Sequence, residues 1–249
     1  MGLPTIAVPE YSLTVPSTGN QIKFRPFLVK EEKILLIAME SENPEEIINA
    51  TKTIVKNCVY GDIDVDTLPT FDLEYIFLQL RGKAKGEQLE LNYKCPKCEA
   101  PIPVLMNVDD IKVQKDENHT NNIKFTEQLG VVMKYPDIIL QNTLEKIAEE
   151  NKVDALFQTI IHCIDYIYDE HNTYPAKDHN PKELEEFVES LTDDYFQKIS
   201  NFFETMPKLQ HKTLLKCENK VKSKGKNKET KACGYKEELV LEGLASFFD

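Results

Sequence analysis

The chain has 249 residues, 41% hydrophobic and 29% charged, so it can bury a sizeable core without disulfide or metal staples. A formal net charge of -12 works against broad binding to nucleic-acid phosphates. No run of 18 apolar residues is present to span a membrane. The start, MGLPTIAVPEYSL, lacks the features of a secretory signal, and Ile6 stands where myristoylation needs Ser or Thr. The cysteines Cys58, Cys95, Cys98, Cys163, Cys217 and Cys233 are therefore expected to be reduced.

In chain order, YSLTV and QIKFR alternate apolar and polar residues around the turn signal PSTGN, which predicts a β-hairpin over residues 10–25. In LVKEEKILLIAMES, Ile34, Leu35, Ala38 and Met39 share one helical side. Phe27, Leu28 and Leu36 lie off that stripe. A second helix opens at Asn43-Pro44, with Asn43 as N-cap and Pro44 at its first position. Its apolar stripe is Ile47, Ile48, Thr51, Ile54, Val55 and Cys58. The run TFDLEYIFLQLRGKAKG predicts a third, well-buried helix closed by Gly82 or Gly86, with Ile76 and Phe77 as surplus apolar surface. If the off-stripe residues are exposed, residues 10–90 carry a partner-binding patch.

EQLELNY and IPVLMNV then read as strands on either side of CPKC. KFTEQ and VVMKY suggest a hairpin around Leu129-Gly130. Residues 137–205 look mostly helical. Their strongest segment is DALFQTIIHCIDYIYDE, with a stripe of Leu156, Ile160, Cys163, Ile164 and Ile167. HNTYPAKDHN reads as a polar loop. Pro181 starts one helix, and Thr192 N-caps another. HKTLLKC and YKEELVLEGL close the chain as two strands.

The two cysteine pairs share one layout of strand, cysteine, turn, cysteine, strand. Facing one another, the hairpin tips would offer Cys95, Cys98, Cys217 and Cys233 as a tetrahedral thiolate set, which suits a structural Zn2+ in a zinc-ribbon-like element. A closed site of this kind leaves no open position for catalysis. Redox use of CPKC is disfavoured because Pro101 and Pro103 follow and a strand resumes where a thioredoxin-type motif needs a helix. Four unrelated thiols remain the bland alternative. Cys58 and Cys163 fall on apolar helical faces and read as core.

Other chemistry is sparse. The sequence carries no phosphate-binding glycine loop, HExxH or nucleophile elbow. The histidines are His119, His162, His171, His179 and His211, and the last two of the middle three bracket a loop with Asp178. Asp62, Asp64 and Asp66 lack the Gly and Glu of an EF-hand and read as a solvated or capping set. From Lys216 to Lys231 the chain has seven lysines and two glutamates, and Val221 is the sole large aliphatic residue. That composition reads as a flexible, solubilising insert able to meet an acidic partner.

Four stretches, LTVPSTGNQIKFRPFLVKEEKILLIAMES, DIDVDTLPTFDLEYIFLQLRGKAKGE, YKCPKC and CGYKEELVLEGLASFF, resemble the baseplate hub assembly proteins of T-even-like contractile-tailed bacteriophages. The resemblance covers roughly the first 110 residues closely and the end of the chain more loosely. The chain departs from the family pattern at its second cysteine pair, where a short CxxCG is enlarged to C-x15-CG. The resemblance implies a non-enzymatic protein of tail assembly in the host cytoplasm, either an assembly factor of the chaperone kind or a hub subunit in the virion. Its partners would be other tail and baseplate hub proteins, with no membrane or small-molecule substrate. The alternatives are a zinc-ribbon nucleic-acid-binding or transcription-associated module, and an enzyme using His162, His171 or His179.

The expected fold class is α+β, a mixed helical domain with short β-hairpins and the two-hairpin zinc-ribbon-like element. The expected divisions are 1–86 (hairpin and helices), 87–107 with 208–249 (ribbon) and 108–207 (mainly helical).

Overall fold

The computed structural model describes residues 6–140, 147, 151–222, 230–243 and 246, with backbone alone for 221, 222 and 230. It is a mixed α and β fold built around three apolar clusters. Small antiparallel sheets supply the β content.

The first cluster gathers the N-terminal elements. β1 (Tyr11–Thr14) and β2 (Gln21–Phe24) form the expected hairpin, and β3 (Val59–Tyr60) adds to β2. Helix α1 (Val29–Glu40) packs against α2 (Pro44–Cys58). Asn43 caps α2 by accepting from the Glu45 N–H at 3.0 Å, with Pro44 at the first helical position. Both ends of that signal were expected, because Asn satisfies an orphan N–H and Pro has none to leave unpaired. Lys52, itself buried, pairs with Asp66 and ties down the connection to the next helix.

Helix α3 (Thr70–Lys85) is the central strut. Leu73, Ile76, Phe77 and Leu80 enter the first cluster, while Leu78 enters the second. A helix apolar on all sides has to be enclosed by neighbours. This overturns the expectation that Ile76 and Phe77 are surplus surface: both are fully buried, as is Phe27. Leu28 and Leu36 are exposed. The helix continues through Gly82, where an added Cβ would lie 3.1 Å from Val108, and ends at Gly86, whose φ is 108°. Asp72 fastens the first hairpin to α3 by accepting from the Ser17 N–H at 3.0 Å and from its hydroxyl.

The second cluster lies between two hairpins. β4 (Gln88–Lys94) pairs with β5 (Pro101–Asn107). Leu89 and Leu91, with Ile102, Val104 and Met106, face inward by strict alternation. A three-residue strand absent from the sequence reading, β6 (Lys112–Gln114), lies beside the C-terminal hairpin described below.

The third cluster holds the middle of the chain. β7 (Asn122–Lys124) and β8 (Gly130–Met133) form the hairpin expected around Gly130. Helix α4 (Lys152–Cys163) stops where a single long helix was expected to continue to residue 170. Ile164–Tyr168 is instead strand β9, paired with β8 and with β10 (Thr173–Pro175) inside the supposed polar loop. IDYIY is β-branched and aromatic, and β8 offers it a ladder, so tertiary pairing overrides the helical stripe. Helix α5 (Pro181–Glu189) opens with a full capping box between Asn180 and Glu183. Helix α6 (Asp193–Thr205) follows Thr192, whose side chain makes no capping hydrogen bond, contrary to expectation.

The C-terminal hairpin pairs β11 (Lys208–Lys216) with the last strand, Lys236–Glu242. The lysine-rich insert between them is ordered at its base, against the expectation of a wholly flexible loop. There β12 (Lys220–Lys222) pairs with β13 (Thr230–Ala232), which makes the last strand β14. Residues 223–229 lie outside the described residues. Replacing 223–229 by Asn-Gly, while keeping both short strands, is expected to change thermal stability by less than about 1 kcal/mol, since closure entropy varies slowly with length. A larger loss in a melting experiment would show that this connection packs against the body.

Candidate metal centre

Two turns carry the four cysteines. At the tip of β4–β5 the Cys95 N–H donates to the Ala100 carbonyl and the Glu99 N–H to the Cys95 carbonyl, both at 2.8 Å. Glu99 takes a left-handed conformation with φ of 60°, and Gly234, after Cys233, takes the corresponding value of 68°. Glycine is at ease there, whereas Glu carries strain of about 1–2 kcal/mol. At the other tip the Cys217 N–H donates to the Tyr235 carbonyl at 3.0 Å, and the Cys233 N–H to the Asn219 carbonyl at 2.7 Å.

This second turn explains how sixteen positions of separation still bring Cys217 and Cys233 together. The β12–β13 ladder carries the chain out and returns it to its origin, so the insert is an excursion from the knuckle. C-x15-C looks irregular as a spacing but is regular as a ladder, since an antiparallel pair brings its ends together at any length.

The four sulfurs lie within 4.8 Å of one another. Cys95 Sγ is 3.7 Å from Cys233 Sγ, and Cys98 Sγ is 3.5 Å from Cys217 Sγ. A tetrahedron with Zn–S bonds of about 2.3 Å has S···S edges of about 3.8 Å. All four are free thiols in the structure. Cys95, Cys217 and Cys233 are buried, and Cys98 is partly exposed.

The surroundings are already polarised. The Asn219 side-chain amide donates to Cys98 Sγ at 3.5 Å. That donor, then the Ala100 N–H, pull the Cys98 thiol down to about 6 against its partial burial. Burial pushes Cys217 up to about 12, and it raises Cys233 as well. Cys98 is thus the sulfur poised as a thiolate, while Cys217 and Cys233 hold their protons more tightly until a cation displaces them. Metal binding at such a set releases protons and weakens as pH falls. Lys97 Nζ lies 3.2 Å from the Cys233 carbonyl and adds positive charge beside the sulfurs. Sequence reading missed Asn219 and Lys97. A donor to sulfur or to a carbonyl has no spacing rule; Asn219 lies in the lysine-rich insert, and Lys97 lies within CPKC itself.

The histidines do not come together. His162 turns back on its own helix, with Nδ1 2.8 Å from the Gln158 carbonyl. His171 is exposed beside Glu170, and His179 pairs with Glu183 at 3.1 Å. His119 is buried between Thr205 and Tyr135 in the third cluster, and His211 sits in β11 opposite Leu241. Cys58 and Cys163 are fully buried core thiols, and burial pushes them up to about 11 and about 12. Asp64 accepts from the Asp66 N–H in a local turn.

Sequence comparison matches residues 8–249 to the T4 bacteriophage base plate protein family. The chain belongs to this family. It is 23% identical over 241 residues to a protein named baseplate hub assembly protein gp26, of Enterobacteria phage T4, covering 96% of this chain and 98% of that one. No solved structure matches. The family assignment gives the chain a role in the phage baseplate and extends the resemblance through the middle region, where sequence reading had recognised helices alone. The transcription-module alternative finds no support in it. Among the described residues, no helix is long and apolar enough to cross a membrane.

Proposed function

We propose that the chain is a non-enzymatic factor in assembly of the contractile-tail baseplate hub, acting in the host cytoplasm through contacts with other hub proteins. The observation that carries this reading is the end-to-end match to the T4 hub assembly protein, which spares neither terminus nor the middle. Its mechanism is to present a preformed surface that holds or shields a hub protein until its neighbours arrive. Preorganisation suits that task, because a rigid surface loses little entropy on binding.

A structural Zn2+ on Cys95, Cys98, Cys217 and Cys233 supplies part of the rigidity in this proposal. The fit of the sulfur spacings to a thiolate tetrahedron supports it. Zinc would join residues 87–107 and 208–249 into one ribbon module between an N-terminal module, 1–86, and a middle module, 108–207. Untagged protein is expected to contain about one zinc per chain by elemental analysis. A metal-free protein with four titratable thiols at these positions would remove the metal from the account.

The test of function is affinity purification of the chain from infected cells, set against the protein inventory of purified particles. Hub proteins should co-purify. Presence of the chain in finished particles marks a hub subunit, and absence marks an assembly factor. Failure to retain any baseplate protein would overturn the reading.

A further inference from the structure

We propose that the outer face of α1 is a homodimer contact, in which two copies of the chain pair their α1 helices antiparallel about a two-fold axis near Leu36 and Ile37. This goes beyond the hub-assembly reading and does not depend on the metal.

The face is unusual for an exposed helix. Val29 is 80% exposed, Leu36 51% and Ile37 55%. Lys33 and Glu40 are also exposed. These five residues fall within about 100° of the helix circumference, opposite the buried Leu35 and Ala38. The apolar pair Leu36 and Ile37 sits in the middle, with Lys33 on one side and Glu40 on the other. The array is self-complementary. In an antiparallel pair centred between residues 36 and 37, Leu36 meets Ile37 of the second copy, and Lys33 meets Glu40 of the second copy. Symmetry makes each contact twice.

Charge order supports this occupant over a generic partner. On this face Lys33 stands toward the helix N-terminus, and the acidic Glu40 stands at its C-terminus. Glu40, in the last turn, runs against the helix macrodipole, which favours bases at that end. An antiparallel second copy reverses the conflict. Each Glu40, at the negative end of its helix, is then faced by Lys33 of the other copy. Among the described residues, neither Lys33 nor Glu40 has an ion pair within its own chain.

A 12-residue helix is about 18 Å long, so the contact is smaller than a standard stable interface. The dimer is therefore weak, with a Kd of roughly 10–100 µM.

Sedimentation velocity of the full chain across that concentration range tests the proposal. Wild type should shift from monomer to dimer. Lys33→Glu and Glu40→Lys should each weaken dimerisation at least about tenfold, because each places like charges opposite one another twice. The double variant Lys33→Glu/Glu40→Lys should return to within about threefold of wild type, because the pairs are rebuilt with signs exchanged. Leu36→Ser/Ile37→Ser should be monomeric. These side chains are exposed, so circular dichroism and melting should match wild type in every variant. A wild type that stays monomeric throughout overturns the proposal, as does a double reversal no better than the single ones. Capture of a hub protein by this face of a monomeric chain overturns it too.

Discussion

Cys95→Ser is expected to abolish stoichiometric zinc binding and to cost about 3–5 kcal/mol of stability. Cys95 is almost fully buried, 3.7 Å from Cys233 Sγ, and a serine hydroxyl is a harder and far less acidic donor than a thiol. The consequence reaches beyond one ligand. Cys98 and Cys217 stand 119 residues apart, and a cross-link closing a loop of roughly that length is worth about 4–5 kcal/mol in chain entropy. The damage should stay local. The first cluster includes none of these four cysteines, and the second retains Leu78, Leu89, Leu91, Ile102, Val104, Leu209 and Leu241. Far-UV circular dichroism should therefore keep most of its helical signal, while amide exchange accelerates at both cysteine-bearing tips. Adding a strong chelator to wild type should reproduce the same pattern. A variant that keeps one zinc per chain and melts like wild type would show that these thiols do not hold the metal.

Which features can be read from sequence follows from the range of the interaction that sets them. Asn43-Pro44 marks the start of α2 because cap and first turn are local chemistry, and the β1–β2 hairpin is legible because strands and turn lie within Tyr11–Phe24. The strands of the cysteine-bearing hairpins are legible for a similar reason, through alternation in LELNY and IPVLM. The break at Cys163 is not local. Ile160, Ile164 and Ile167 fit a helical stripe as well as they fit strand burial, and β8, more than thirty residues earlier, decides between them. β6 is three residues long and exists because β11 lies beside it. The surplus apolar residues of the first and third helices divide for the same reason. Ile76 and Phe77 are enclosed by elements distant in sequence, whereas nothing in the chain covers Leu36 among the described residues. Pairing of the distant cysteine tips depends on both hairpins and on the β12–β13 ladder, whose strands are hidden in a lysine-rich composition that reads as disorder.

Glu31→Ala is expected to be the most damaging single change in the N-terminal part, at about 3–5 kcal/mol. The Glu31 side chain is fully buried in the first turn of α1. It accepts from the Leu28 N–H at 2.9 Å, which satisfies the N-cap's own backbone donor, and from Arg25 at 3.0 Å. Arg25 in turn donates to the carbonyls of Pro26 and Asn57, so one carboxylate holds the hairpin, α1 and the end of α2 in register. Truncation leaves a largely buried guanidinium without its carboxylate and the Leu28 N–H without its acceptor. Glu31→Gln keeps an acceptor for Leu28 and loses the charge, so it should cost clearly less. The pH dependence has a definite sign. Burial pushes the Glu31 carboxyl up, but Arg25 and the Leu28 N–H outweigh it and hold the group below its ordinary value. A carboxylate depressed in the folded state contributes its stability above the unfolded pKa of about 4.3 and loses it as pH falls through the folded value. Urea unfolding of wild type should therefore show a loss of stability on acidification below about pH 4.5, and Glu31→Gln should flatten that part of the curve. If the glutamine variant followed the wild-type acid limb unchanged, the acid sensitivity would have to come from other carboxylates.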